Sequence, residues 1–254
     1  MLKVDLHLHT ADDPLDRLFH TSFDLVDRAA ELGFDAIAIT LHEIQLANPR
    51  VAAHARERGI TLIPGTERTI EGRHVLMLNF PGAEAESVRT FDELARLKAR
   101  TRGLVIAPHP YFPVRHCLHA RLDAHRDLFD AVEWSYFWTR ALNFNARAAR
   151  WARAHGKPLV GNSDLHDLRQ IGRTYSMIDA PRDAAAICDA IRQGRVTVQT
   201  TPAPVTELAG VIARVAFRGS RFSQPFRLPV PSTRPRRTSA TPSVRSASSP
   251  FSHL

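Results

Sequence analysis

Along roughly the first 200 residues, short and nearly continuous apolar runs alternate with longer stretches whose apolar positions recur at helical spacing. Residues 4–8, 34–40, 60–64, 75–78, 104–107 and 158–160 are runs of strand length. Residues 22–32, 49–58, 90–102, 142–155 and 182–193 carry the helical pattern; in the first of these, Phe23, Leu25, Val26, Ala29, Ala30 and Leu32 form a stripe rather than an alternation. Gly33, Gly59, Gly103, Gly156 and Gly194 each fall just after one such stretch, where a left-handed cap favours glycine. Strands apolar on both faces, alternating with helices, predict a parallel sheet covered on both sides.

Polar residues break this pattern at the strand ends. The first run reads Val4-Asp5-Leu6-His7-Leu8-His9, and a strand turns residues two apart to the same face, so His7 and His9 present two imidazoles side by side. The later runs lead into His42, Glu67, His109, and the pair Asp164 and His166, while His74 opens the run at 75–78. Neutral imidazole is the commonest metal ligand, and carboxylates complete a mixed nitrogen and oxygen set. In an open doubly wound sheet a site draws mainly on the strands at the switch point, whereas a barrel gathers ligands from many strand ends. Ligand types spread over six runs therefore favour closure into a barrel.

In their order, His7-x-His9, Ile39-Thr40-x-His42, Gly65-x-Glu67, His74, Pro108-His109-Pro110 and Ser163-Asp164-x-His166 resemble the motifs of the PHP superfamily, named for polymerase-associated and histidinol-phosphatase domains. The resemblance covers roughly residues 1–200. It implies an α/β fold, a distorted β/α barrel of seven strand–helix units, with two or three divalent metal ions. By resemblance His7, His9, Glu67 and Asp164 hold one ion, and Glu67, His74 and His109 a second. His42 and His166 hold a third, with one residue from the loop after His9: Asp13 is the choice, and Asp16 and His20 stay open. Two departures stand out. The Ser-Asp-Gly that the family often carries five residues past the second histidine is replaced by Ala11-Asp12-Asp13-Pro14-Leu15-Asp16, and Leu41 stands where an aspartate usually precedes the histidine.

The chemistry can be argued without the family. Three carboxylates, Asp13, Glu67 and Asp164, facing two or three doubly charged ions leave a net positive pocket, which suits a phosphate ester dianion. Mixed ligation suits zinc, manganese or iron better than magnesium. The expected reaction is metal-dependent hydrolysis of a small phosphomonoester or nucleotide by a metal-bridging hydroxide, with Glu67, His109 and Asp164 catalytic and Arg173 binding the substrate phosphate. Arg68 and Arg140 are weaker phosphate candidates. Alternatives are a phosphodiesterase or oligonucleotide exonuclease, a non-catalytic metal or phosphate sensor, and an amidohydrolase on a similar barrel. His54, His116, His119, His125, His155 and His253 are expected to stand outside the site.

Charge divides the chain. Residues 1–217 hold 27 Lys+Arg against 26 Asp+Glu, while seven arginines from Arg218 onward account for nearly all of the +8. The expected organisation is a metal-dependent phosphoesterase domain at 1–217 and a basic Pro/Ser/Arg-rich tail at 218–254, too poor in aliphatic residues to fold. The near-neutral domain gives no basic face for nucleic acid, which is expected only as a short substrate. Cys117 and Cys188 lie in no metal or redox motif and suit a reducing cytoplasm. The opening residues carry Asp5, His7 and His9 instead of a signal peptide's apolar core, and no apolar run reaches the roughly 20 residues of a membrane span.

Overall fold

The computed structural model describes residues 1–210. The expected tail and its boundary at 217/218 lie outside the described residues. In chain order the elements are β1 (Leu2–Leu8), α1 (Ser22–Glu31), β2 (Ala36–Ile39), α2 (Pro49–Glu57), β3 (Thr61–Ile70), β4 (Arg73–Leu78), α3 (Gly82–Ser87), α4 (Phe91–Arg100), β5 (Leu104–Ala107), α5 (Ala120–Ala124), a 3-10 turn (Arg126–Leu128), β6 (Ala131–Ser135), α6 (Asn145–Ala154), β7 (Leu159–Asn162), β8 (Thr174–Ile178), α7 (Ala184–Arg192) and β9 (Val196–Thr200). The five expected helices form within three residues of their predicted ends. Thr21 and Thr90 start α1 and α4 with capping boxes, and Asn48 and Asp183 cap α2 and α7. Gly33, Gly59, Gly156 and Gly194 take the left-handed conformation, but Gly103 does not. A side chain there would run into the Phe80 ring.

One sheet of nine strands has the order β7-β6-β5-β4-β3-β2-β1-β8-β9. Two parallel groups, β1/β2/β3 and β5/β6/β7, are joined by β4, which runs antiparallel to β3 and β5. A strict strand–helix repeat has no such hairpin. It arises because Glu71 and Gly72, both with positive φ, make a two-residue turn between Ile70 and Arg73. The antiparallel pair β8–β9, connected through α7, was also absent from the expected pattern; β8 alternates buried and half-buried residues, and β9 half-buried and exposed ones, instead of forming a solid apolar run.

The sheet nearly closes into a barrel. At one end Leu165, just past β7, forms a parallel bridge with Leu8: Leu165 N donates to His7 O at 3.2 Å and His9 N to Leu165 O at 3.1 Å. Below that, side chains substitute for a ladder. Leu6 N donates to Asn162 Oδ1 at 3.0 Å, and Ser176 Oγ accepts from Gly161 N and donates to Gly161 O. Gly161 allows this approach, since a Cβ there would lie 2.6 Å from Tyr175 O.

Residues from β1 through β8, among them Val4, Leu6, Ala38, Ile63, Leu76, Ile106, Ala131, Val160 and Ile178, share one buried cluster with α7. Eight strands can contribute to one cluster only on the inner face of the sheet, so α7 stoppers the barrel. Outside, α1 and α2 cover Ile37, Ile39, Leu8 and Leu165, while α4, α5 and α6 cover the β4–β6 side.

Candidate metal centre

The inner face changes character toward the open end of the barrel. Two residues beyond Ala131 on the same face of β6 stands Glu133, and four beyond Ile63 on β3 stands Glu67. His74 precedes Leu76 on the antiparallel β4, and Asn162 and Asp164 follow Val160. In β1 the register with β2 slips by one residue between Asp5 and Leu8. This bulge re-aims the strand: Leu6 belongs to the inner cluster but Leu8 to the outer one beneath α1 and α2. His7 and His9 consequently face the centre together, their ring centroids 5.1 Å apart.

Glu67 is the hub. Its Oε2 lies 3.3 Å from His7 Nε2, 3.4 Å from His9 Nε2 and 3.1 Å from His42 Nε2. Its Oε1 lies 2.8 Å from His74 Nδ1 and 3.3 Å from His109 Nε2. Asp164 Oδ1 stands 3.4 Å from His7 Nε2 and 3.7 Å from His9 Nε2. His7 Nε2 and His9 Nε2 are fully buried without a hydrogen-bond partner. Leaving such nitrogens unpaired is costly unless something else occupies their lone pairs. Sets of ligand atoms close enough for one ion occur at His7, His9 and Asp164; at His42, Glu67 and His74; at His9, Asp13 and His42; and at His7, His109 and Glu133. The donor chemistry fits divalent metal ions on this evidence.

The loop after β1 places its three candidates differently. Asp13 Oδ2 accepts from His9 Nδ1 and His42 Nδ1, both at 3.0 Å, and from His42 N at 2.9 Å, so it stands behind two rings whose Nε2 atoms face Glu67. Asp16 lies 2.9 Å from His166 Nε2 and 3.9 Å from His42 Nδ1, between the two histidines expected to share an ion. His20 Nε2 is engaged by the His9 carbonyl at 2.7 Å. A cavity of about 410 Å³ opens beside Asp13 and Asp16, walled by Pro14, Arg17 and Phe19. Leu41, in place of the usual aspartate, is buried with Leu25 and Val51 in the outer core.

Charges inside the centre hold one another. Burial disfavours a charged His42, but hydrogen bonds with Asp13 and Glu67 outweigh it and hold its pKa well above the ordinary value. The same contest, against Asp164, Glu133 and Glu67, raises His7. Burial would raise Glu67, yet the His74 and His7 charges bring it well below the usual carboxylate range. Backbone strain collects at the same end: Glu43, His109 and Asp164 all have positive φ, which side-chain-bearing residues seldom adopt.

Other expected residues lie elsewhere. Arg173 pairs with Glu207 at 2.9 Å, and Glu207 also accepts from Tyr136. Arg68 is buried and donates to the carbonyls of Glu43 and Val88, a structural brace. His155 stacks on Trp151, His125 on Phe91, and His54 pairs with Asp27. His116 departs from the expectation, for its ring stacks on His74 at 4.8 Å. Glu133 went unrecognised in the sequence, although an acid within the apolar run Ala131-Val132-Glu133-Trp134 is a signal for a buried, partnered carboxylate.

A PHP-associated family model matches residues 143–196, from just ahead of α6 into the start of β9. No curated protein matches the chain in sequence. In fold it is similar to a two-domain Bacteroides vulgatus protein containing a predicted PHP-like metal-dependent phosphoesterase (TM-score 0.61, 20% identity, over 84% of this chain and 69% of that one). It is also similar to an amidohydrolase from Chromobacterium violaceum with bound sulfate and no metal (0.54, 16%, 80% and 99%). A third similar structure is the lesion-specific endonuclease of Pyrococcus furiosus (0.53, 16%, 83% and 66%). At these identities the likeness speaks for the fold. The matched segment and the shared fold are both consistent with a PHP superfamily protein, the family whose motifs the sequence resembles.

Proposed function

We propose that the chain is a metal-dependent phosphoesterase that hydrolyses a small phosphomonoester. The observation that carries this reading is the convergence of two buried, unpartnered imidazole nitrogens, on His7 and His9, with Glu67 and Asp164 at the open end of the barrel. In this reading His7, His9, Glu67 and Asp164 hold one ion; Glu67, His74 and His109 a second; and His42 and His166 a third, with Asp16. Asp13 orients His9 and His42 from behind. When bound, such ions place positive charge against phosphoryl oxygens and lower the pKa of water toward neutrality. Glu67 sets the spacing of the two halves, since its two oxygens face different histidines. Glu67, His109 and Asp164 are the catalytic residues in this reading. Arg173 has no part in this reading because Glu207 engages it. Manganese, zinc or iron, two or three per chain, match the nitrogen and oxygen donors, and a cytoplasmic setting accords with two unpaired cysteines. Among the described residues no helix is long and apolar enough to cross a membrane.

A phosphodiester substrate is the second reading, and α6 favours it. Arg147, Arg150 and Arg153 are exposed along this helix, and three cations on one helix would suit a phosphodiester backbone. The deciding experiment measures metal per chain by plasma mass spectrometry on protein purified without chelator, followed by phosphate release from monoesters and diesters. Two to three equivalents and faster monoester turnover are expected. Preferred diester cleavage would install the second reading, and metal-loaded protein that turns over neither would refute both.

A further inference from the structure

Glu133 belongs to none of the three ligand sets just assigned, yet it is fully buried beside them. Its Oε1 accepts from His7 Nδ1 at 2.9 Å and from Asn162 Nδ2 at 2.9 Å. Its Oε2 accepts from the backbone N–H of His109 at 2.8 Å. One carboxylate on β6 thereby ties together a ring from β1, a backbone from the end of β5 and an amide from β7. The same amide's oxygen accepts from Leu6 N across the closure of the barrel. Both oxygens are engaged by protein donors at short range, which leaves Glu133 facing the Nδ1 side of His7 while Glu67 and Asp164 face its Nε2 side.

We propose that Glu133 is the positioning residue of the centre: by accepting from His7 Nδ1 and His109 N it aims His7 Nε2 and the strained His109 turn at the metal-holding carboxylates. The backbone at His109 has φ 27°, a conformation that persists only when its surroundings over-determine it. The Glu133 acceptor is one such determinant, and Cys117 Sγ, 3.2 Å from His109 Nδ1, orients the ring itself. A histidine that donates one ring N–H to a carboxylate keeps the opposite nitrogen as the ligand, and losing such a partner typically weakens metal binding about 10- to 100-fold. Glutamine cannot replace Glu133, because its NH2 must confront a donor at one end or the other: His109 N, or His7 and Asn162.

The inference rests on the reading of His7 as a metal ligand, and the test separates the two. Zinc affinity of the full chain is measured by chelator competition for wild type, Glu133→Gln, His7→Ala and the double variant, with melting of the zinc-free proteins as a folding control. Glu133→Gln is expected to weaken zinc about 10- to 100-fold at unchanged saturating stoichiometry, and by a clearly smaller factor once His7 is alanine, the remainder acting through the His109 turn. Equal weakening in both backgrounds would overturn the proposal, and so would loss of a whole zinc equivalent, which marks a direct ligand. Wild type that binds no zinc would overturn the ligand reading along with it. Should Glu133→Gln fail to fold, nitrogen-15 NMR of zinc-loaded wild type decides: a slowly exchanging proton on His7 Nδ1 supports the proposal, and an unprotonated Nδ1 refutes it.

Discussion

Two pairs of candidate ligands spaced two residues apart meet at this centre, and they are held differently. His7 and His9 flank Leu8, and Asp164 and His166 flank Leu165; Leu8 and Leu165 are bridged and buried in one core. The first pair lies on or directly beyond a strand hydrogen-bonded on both edges, and both rings have no exposure. The second lies past the end of β7, with Asp164 at φ 47° and side chains 13% and 12% exposed. Gln170 holds this loop: its Oε1 accepts from His166 N and Asp167 N, both at 2.8 Å. Pleat and bulge set the spacing of the first pair. The spacing of the second depends on one bridge and one buried amide.

Removing the hub should erase the contrast. Glu67→Gln is expected to lose both ions that Glu67 touches and to lower kcat/KM more than about 10³-fold, roughly 4 kcal/mol of barrier; metal analysis and phosphate release check it, and retained occupancy would deny its bridging place. Gln170→Leu should separate the pairs. It strands two N–H groups at a cost of about 1–3 kcal/mol, and metal titrations should show the ion near His166 weakened with the ion at His7 and His9 intact. Uniform weakening would mean the loop pair is not independently held.

Acidity gives a smaller, graded effect. In metal-free protein the raised pKa values of His7, His42, His109 and His166 contribute stability that is full below the unfolded value of about 6.5 and lost as pH rises through the folded values. The lowered values of Glu67, Asp164, Asp13 and Asp16 contribute stability present above about pH 4 and lost as pH falls through theirs. Metal-free protein should therefore melt highest between about pH 4.5 and 6.5, while bound ions, which compete with protons for the same nitrogens, should stabilise most above pH 7. Melting scans with and without metal test this, and a metal-free maximum above pH 8 would contradict it. At the bottom of the scale, His155→Ala removes a ring stacked on Trp151, away from the centre. It should leave kcat/KM within about twofold and cost about 1 kcal/mol of stability; a kinetic collapse would show that the wrong histidines have been grouped.

Residue spacing made much of this legible. His7-x-His9 and Asp164-x-His166 announce themselves because ligand types interrupt apolar runs at a period the backbone imposes, and the five amphipathic stretches became helices for the same reason. The β3–β4 hairpin did not, since Glu71-Gly72 is a weak turn signal compared with Asn-Gly. Nor did Glu133, whose partners His7 and His109 are 126 and 24 residues away.

Local order alone determined that strands and helices alternate, that their open ends carry imidazoles and carboxylates, and that the charge excess lies beyond residue 217. Which acid stands before the lone pairs and which stands behind the rings was decided only in three dimensions. Asp13 and Asp16 are interchangeable as letters in one loop, yet one backs His9 and His42 while the other meets His166. An imidazole has two nitrogens on opposite sides, and sequence spacing cannot say which side a distant carboxylate reaches. That depends on the bulge in β1 and on the closure of β7 against it, which are properties of the closed sheet.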